Sequence, residues 1–159
     1  MAQRVSVPAD VAALNVLDRV DYQDAFAVDT AGVRTAKQWA RLCFEVDPPP
    51  MLRVAQLILT PMGAGAAQSE STGIAGLRIL RNDPENIVLG FTVNFATPRI
   101  VFSAPPGRLV MSTLLRYDGR SAPIIWAVLR WPHQITARAL VDRAAQIAAR
   151  EAKGRNGTI

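Results

Sequence analysis

Three side chains carry the chemistry to expect of this chain: Tyr22, Asp24 and His133. His133 is the only histidine in 159 residues, and an imidazole, with an ordinary pKa of about 6.5, offers both protonation states near neutrality, as a general acid or base requires. Tyr22 and Asp24 stand two apart in an alternating stretch. As a strand, that stretch points both from one face, followed by Phe26 and Val28. A carboxylate set among apolar groups is destabilised in its charged form, which is how a weak acid becomes a proton carrier near neutral pH. Each group also has a plainer role. Asp24 can pair with an arginine at a sheet edge, and His133, directly after Pro132, can bond a backbone carbonyl that the proline leaves free.

A second set of residues would hold a ligand rather than act on it. Thr113 and Tyr117 share a strand face and can orient a ligand oxygen, while Trp39, Phe91, Trp126 and Leu129 supply apolar contact area. For each tryptophan, plain core packing competes with that role. Cys43 falls on the buried stripe of a helix and reads as a small hydrophobe rather than a nucleophile. The serines of Gln68-Ser69-Glu70-Ser71 lack a nucleophile-elbow pattern, which disfavours a serine hydrolase. With one cysteine and one histidine, an internal disulfide, a zinc site of several thiolates or a protein metal cage is not expected. No cofactor is implied.

The elements that must position these groups follow from periodicity. A short helical candidate covers residues 9–17 and a strand covers 20–28. Thr35 with Gln38 forms a capping box, after which Ala36, Trp39, Ala40, Cys43 and Val46 recur at helical spacing. Asp47-Pro48-Pro49-Pro50 stops that helix. Pro50 opens a second, with Met51, Val54, Ala55 and Ile58 on one stripe, ending near Pro61-Met62-Gly63. Residues 63–73, rich in Gly, Ala and Ser, lack the Gly-Lys-Ser/Thr ending of a phosphate loop and read as a linker or lid edge. Four strands follow, 77–81, 86–94, 99–104 and 109–117, spaced as an antiparallel meander with one apolar and one more polar face. After Asp118-Gly119-Arg120 comes a helix of about thirty residues, apolar on every side in its first half and therefore expected to be buried. Pro132 should bend it.

Composition bounds the class. Half of the residues are hydrophobic and 19% are charged, so a folded single domain over residues 1–150, with a basic tail at 151–159, is expected. No stretch reaches the eighteen or so apolar residues of a membrane span, and the N-terminus lacks a signal-peptide pattern, so the chain reads as soluble and cytoplasmic. The net charge of +5 comes from sixteen arginines and two lysines. The arginines are scattered, and no helix-turn-helix, RNP or zinc-finger spacing accompanies them, so neither nucleic acid nor membrane is an expected partner.

Asp21-Tyr22-Gln23-Asp24-Ala25-Phe26, Trp39-Ala40, Pro48-Pro49-Pro50, Pro61-Met62-Gly63, Val88-Leu89-Gly90, Ser112-Thr113-Leu114-Leu115-Arg116 and Leu129-Arg130-Trp131-Pro132-His133 occur in the order seen in a bacterial family of unknown function. That family is similar to relatives of the START and polyketide-cyclase helix-grip superfamily. The resemblance implies an α+β fold in which a curved antiparallel sheet wraps a long C-terminal helix and two short helices close an apolar cavity. Only about five strands are evident where such folds have six or seven, and a further strand near Gly73 would help complete the grip.

Two functions remain open. One is a cofactor-independent cyclase, dehydratase or isomerase acting on a hydrophobic, polyketide-like molecule, with Tyr22, Asp24 and His133 moving protons. The other is a non-catalytic carrier in which the same groups only orient a hydrophobic ligand. A helix apolar all round cannot give every side to its own sheet, which also points to a homodimer contact.

Overall fold

In the computed structural model, which describes residues 1–62 and 73–156, the two ends of the chain supply the sheet edge and the helix that meet over the candidate residues. The elements run β1 (Gln3–Val5), α1 (Ala9–Ala12), β2 (Tyr22–Asp29), α2 (Ala36–Phe44), α3 (Pro50–Leu59), β3 (Gly73–Ile74), β4 (Leu77–Asn82), β5 (Asn86–Gly90), β6 (Ala96–Ser103), β7 (Arg108–Tyr117) and α4 (Ala122–Asn156). The seven strands form one antiparallel sheet in the order β1-β2-β7-β6-β5-β4-β3. With the long helix packed along its inner face, this is a helix-grip fold. The two strands beyond the five evident ones are β1 and β3, of three and two residues. The stretch 63–72, read as linker or lid edge, lies outside the described residues, as do the serines within it.

Strand parity decides what faces α4. Tyr22, Asp24, Phe26 and Val28 pair across β2–β7 with Leu115, Thr113, Met111 and Leu109, and Met111 and Leu109 join Phe102, Leu89 and Ile87 in the main core. The opposite face is not polar as the alternation suggested. Ala25, Ala27 and Val110 are covered by Val5 and Val7, and Val88, Val101 and Leu114 by Val11 and its neighbours. The N-terminal segment thus crosses the back of the sheet, which is why β7 is apolar on both parities. Strand β5 stops at Gly90, short of the expected 94. There the Leu80 and Arg99 side chains lie across the backbone, and a Cβ would stand 2.6 Å from Leu80 Cδ1.

The capping box of α2 forms as its sequence requires, Thr35 Oγ1 accepting from the Gln38 amide and Gln38 Oε1 from the Thr35 amide. Its inner stripe buries Trp39, Ala40, Cys43 and Phe44 against the sheet and α4. Truncating a fully buried tryptophan such as Trp39 costs about 3–5 kcal/mol. Helix α3 departs from expectation. Met51, Val54 and Ile58 are exposed, whereas Leu52 packs on the core.

Helix α4 runs uninterrupted through Pro132 and past residue 150, where the sequence suggested a tail. Ala137, Leu140, Val141, Ala144 and Ala148 face inward, and the small side chains let the helix approach α2 closely. Burial all round does not hold. Ile124, Val128 and Trp131 are 73%, 72% and 70% exposed and, with Ile135, form an apolar stripe on the outer side. Among the described residues no helix is long and apolar enough to cross a membrane.

Candidate functional site

Where α4 crosses β2, its residues 126, 133 and 134 come down on the end of the strand that holds Tyr22 and Asp24. Two helical turns separate Trp126 from His133, so both project from one side of the helix. The Asp24 carboxylate is withdrawn from solvent completely, its side chain being 0% exposed against 20% for His133. Tyr22 Oη donates to Asp24 Oδ2 at 2.6 Å, and Gln134 Nε2 donates to Tyr22 Oη at 2.9 Å. His133 Nε2 stands 3.4 Å from Oδ1 and 3.3 Å from Oδ2, a looser contact than the tyrosine bond. The Trp126 ring closes the group, with centroids 5.0 Å from Tyr22 and 5.2 Å from His133.

This arrangement settles the contact His133 makes: its Nε2 meets the Asp24 carboxylate, not a backbone carbonyl freed by Pro132. Nor does Asp24 form an edge pair with an arginine among the described residues. Burial, and then the hydrogen bond and charge of Asp24, push the Tyr22 phenol up to about 12 from 10.0. A phenolate there would lose hydration and face a carboxylate, so Tyr22 stays a donor throughout the physiological range.

The structure brings most of the predicted ligand-binding residues to the same place. Phe91, Tyr117 and Leu129 pack with Trp126 and Tyr22 in one apolar cluster, and Thr113 is the cross-strand neighbour of Asp24. Trp39 does not join them. It is 1% exposed in the main core, with the Arg34 guanidinium over its ring. Cys43 is likewise core, and burial pushes its thiol far up, away from reactivity. Two polar atoms beside the site, Thr113 Oγ1 and Trp126 Nε1, are buried without a hydrogen-bond partner among the described residues, which native interiors rarely tolerate. No three His, Cys, Asp or Glu side chains among those residues stand close enough to share a metal ion.

Two neighbours were not singled out from sequence. Gln134 fixes the tyrosine but has no pattern of its own beyond following His133. Arg4 lies on β1 opposite Phe26, hence on the inner face with Asp24, and its charge acts on Tyr22. Because β1 pairs only as far as Val5 with Ala25, an open hollow lined by Arg4, Val5, Ser6, Val7, Gln23 and Asp24 is left at the sheet edge.

A second polar cluster closes the end of the same sheet. Arg116 donates to Asp118 at 2.7 Å, to Asp18 at 2.9 Å and to Thr97 at 3.2 Å. Arg19 pairs with Asp21 and donates to the Tyr117 carbonyl, while Asp21 accepts from the Tyr117 amide at 2.7 Å. Hydrogen bonding holds the carboxyls of Asp18, Asp21 and Asp118 below their ordinary range.

No protein-family model and no curated protein matches the chain. Among solved structures, CalU16 from Micromonospora echinospora is similar over 94% of each chain, with 7% sequence identity and a TM-score of 0.32. A likeness that distant carries neither fold nor function, and the helix-grip assignment rests on this chain's own strand order and terminal helix.

Proposed function

We propose that this chain binds a hydrophobic, polyketide-like small molecule beside Trp126 and acts on it by proton transfer, as a cofactor-independent cyclase, dehydratase or isomerase. One observation carries the reading: the chain Gln134, Tyr22, Asp24, His133 is linked by hydrogen bonds around a carboxylate closed to solvent. Its geometry divides the roles. Asp24 is sealed in and serves as a positioning residue. Holding the Nε2–H of His133, it leaves Nδ1 as the proton acceptor on the far side of the ring and stabilises the imidazolium that forms. The Trp126 face adds to that stabilisation. Tyr22 and Gln134 keep the carboxylate in place. Nδ1 takes a proton from a carbon next to a ligand carbonyl and returns it to another atom of the same ligand, so no proton is gained or lost overall. Phe91, Thr113, Tyr117 and Leu129 bear on the ligand body; Trp39 packs the core.

A carrier function is the second reading, favoured by the fact that Tyr22 and Asp24 already satisfy each other. Native mass spectrometry of protein purified from its own host separates the two. A co-purified molecule that wild-type protein converts, and that His133→Ala converts 10²–10⁴-fold more slowly, supports catalysis. A molecule retained and returned unchanged makes the chain a carrier. Retention of nothing, with no host metabolite altered on incubation, contradicts both readings. The exposed stripe Ile124, Val128, Trp131 and Ile135 is the face on which a homodimer would form, and a strictly monomeric mass in solution removes that proposal.

A further inference from the structure

The geometry points to an anionic ligand: we infer that Arg4 binds a carboxylate or phosphate oxygen at the β1–β2 edge while the apolar body of the ligand lies against Trp126 and Leu129. This rests on the proposed site and names the class of molecule it takes. Three observations carry it. First, Arg4 shares the inner face with Asp24 through its register opposite Phe26, and it lines the hollow that also touches Asp24. Second, Arg4 is one of ten arginines with no ion pair among the described residues, and it stands near enough to the site for its charge to act on Tyr22. Third, the acid that lines the same hollow is already engaged: Asp24 is bonded to Tyr22 and faces His133. A guanidinium left over beside a lined hollow has a fork of donors matched to a two-oxygen anion. Ser6, in the same hollow, adds a hydroxyl for its remaining lone pairs.

The consequence is a ligand with two ends. Its anion stays at the open, wet edge, and its carbon skeleton reaches inward past His133, which fixes the carbon presented to Nδ1. A neutral molecule of the same shape lacks that anchor.

Calorimetric titration of the whole chain with 2-naphthoate, 2-naphthyl phosphate and the neutral 2-naphthamide tests this. Wild-type protein is expected to bind at least one of the two anions about tenfold more tightly than the amide. Which anion wins distinguishes carboxylate from phosphate ligands. Arg4→Gln should bring the preference to within about twofold, and Arg4→Lys, keeping the charge without the fork, should retain part of it. Equal affinity for all three probes, no detectable binding of either anion at millimolar concentration, or an anion preference that survives Arg4→Gln overturns the inference. His133→Ala separates the two claims. Unchanged turnover in that variant sinks the catalytic reading, while the anion preference, which does not pass through the imidazole, still answers for Arg4.

Discussion

Asp21 and Asp24 lie three residues apart at the start of one chain segment, yet they belong to opposite kinds of polar cluster. Around Asp21 the charges are dense and satisfied. Arg116 alone meets Asp18, Asp118 and Thr97, and Arg19 meets Asp21. Around Asp24, among the described residues, there is one carboxylate, no arginine bonded to it, an imidazole at a loose 3.3 Å and two buried polar atoms without partners. The first cluster ties the start of β2 to the end of β7 and has little left to offer a ligand. The second has bonding capacity unspent, in a place where water is scarce. Charge density therefore marks the structural cluster, and unsatisfied burial marks the one proposed to act on a ligand.

Stability separates the two clusters by size of effect. Tyr22→Phe removes the short bond to a sealed carboxylate and should cost about 1.5–3 kcal/mol in urea unfolding. A loss under about 0.5 kcal/mol would mean that Asp24 is better solvated than its burial implies. Thr113→Val should go the other way. Deleting an unpartnered buried hydroxyl ought to raise stability by roughly 1 kcal/mol, while weakening ligand retention if that hydroxyl meets the ligand. A drop in stability instead would show that the hydroxyl already has a partner. Smallest is Arg116→Met, expected to shift stability less than either of these changes, with the cost shrinking as salt rises because these groups are open to solvent.

The same contrast has a pH signature. Tyr22 has its folded pKa raised to about 12 from 10.0, so its contribution to stability is fully present below about pH 10 and is lost as pH rises toward about 12. In an ultraviolet phenolate titration of the two tyrosines, Asp24→Asn should bring the Tyr22 step to lower pH, since hydrogen bonding and charge from Asp24 follow burial among the causes of the shift. An unmoved step would place the whole shift on burial.

Much of this site was legible in the sequence. The alternation of β2 put Tyr22 and Asp24 on one face, and the run of β7 put Thr113 and Tyr117 on one face of their own strand, whose pairing with β2 only the structure supplies. Helical spacing gave α2 its buried Trp39 and Cys43. What escaped has physical causes. A three-residue strand such as β1 has no period to detect, so Arg4 had no assigned place. The rotation of α4 about its axis is set by packing of Ala137, Ala144 and Ala148, not by any local signal, so Gln134 could not be aimed at Tyr22 in advance. An apolar residue announces burial but not the partner that buries it. Hence α4 and α3 were expected to hide stripes that they expose, and the back of the sheet was expected to be polar where the N-terminal segment covers it.

The central claim is that the sealed Asp24 cluster, and not the ion-pair cluster beside it, does the chemistry. The direct measurement is incubation of wild-type protein, Asp24→Asn and Arg116→Met, each shown to be folded by circular dichroism, with a small-molecule extract of the native host, followed by mass spectrometry of the species consumed and formed. Wild type and Arg116→Met should convert the same molecule at similar rates, and Asp24→Asn at least about a hundredfold more slowly. Conversion by Asp24→Asn at the wild-type rate, or an equal loss in Arg116→Met, would contradict the account.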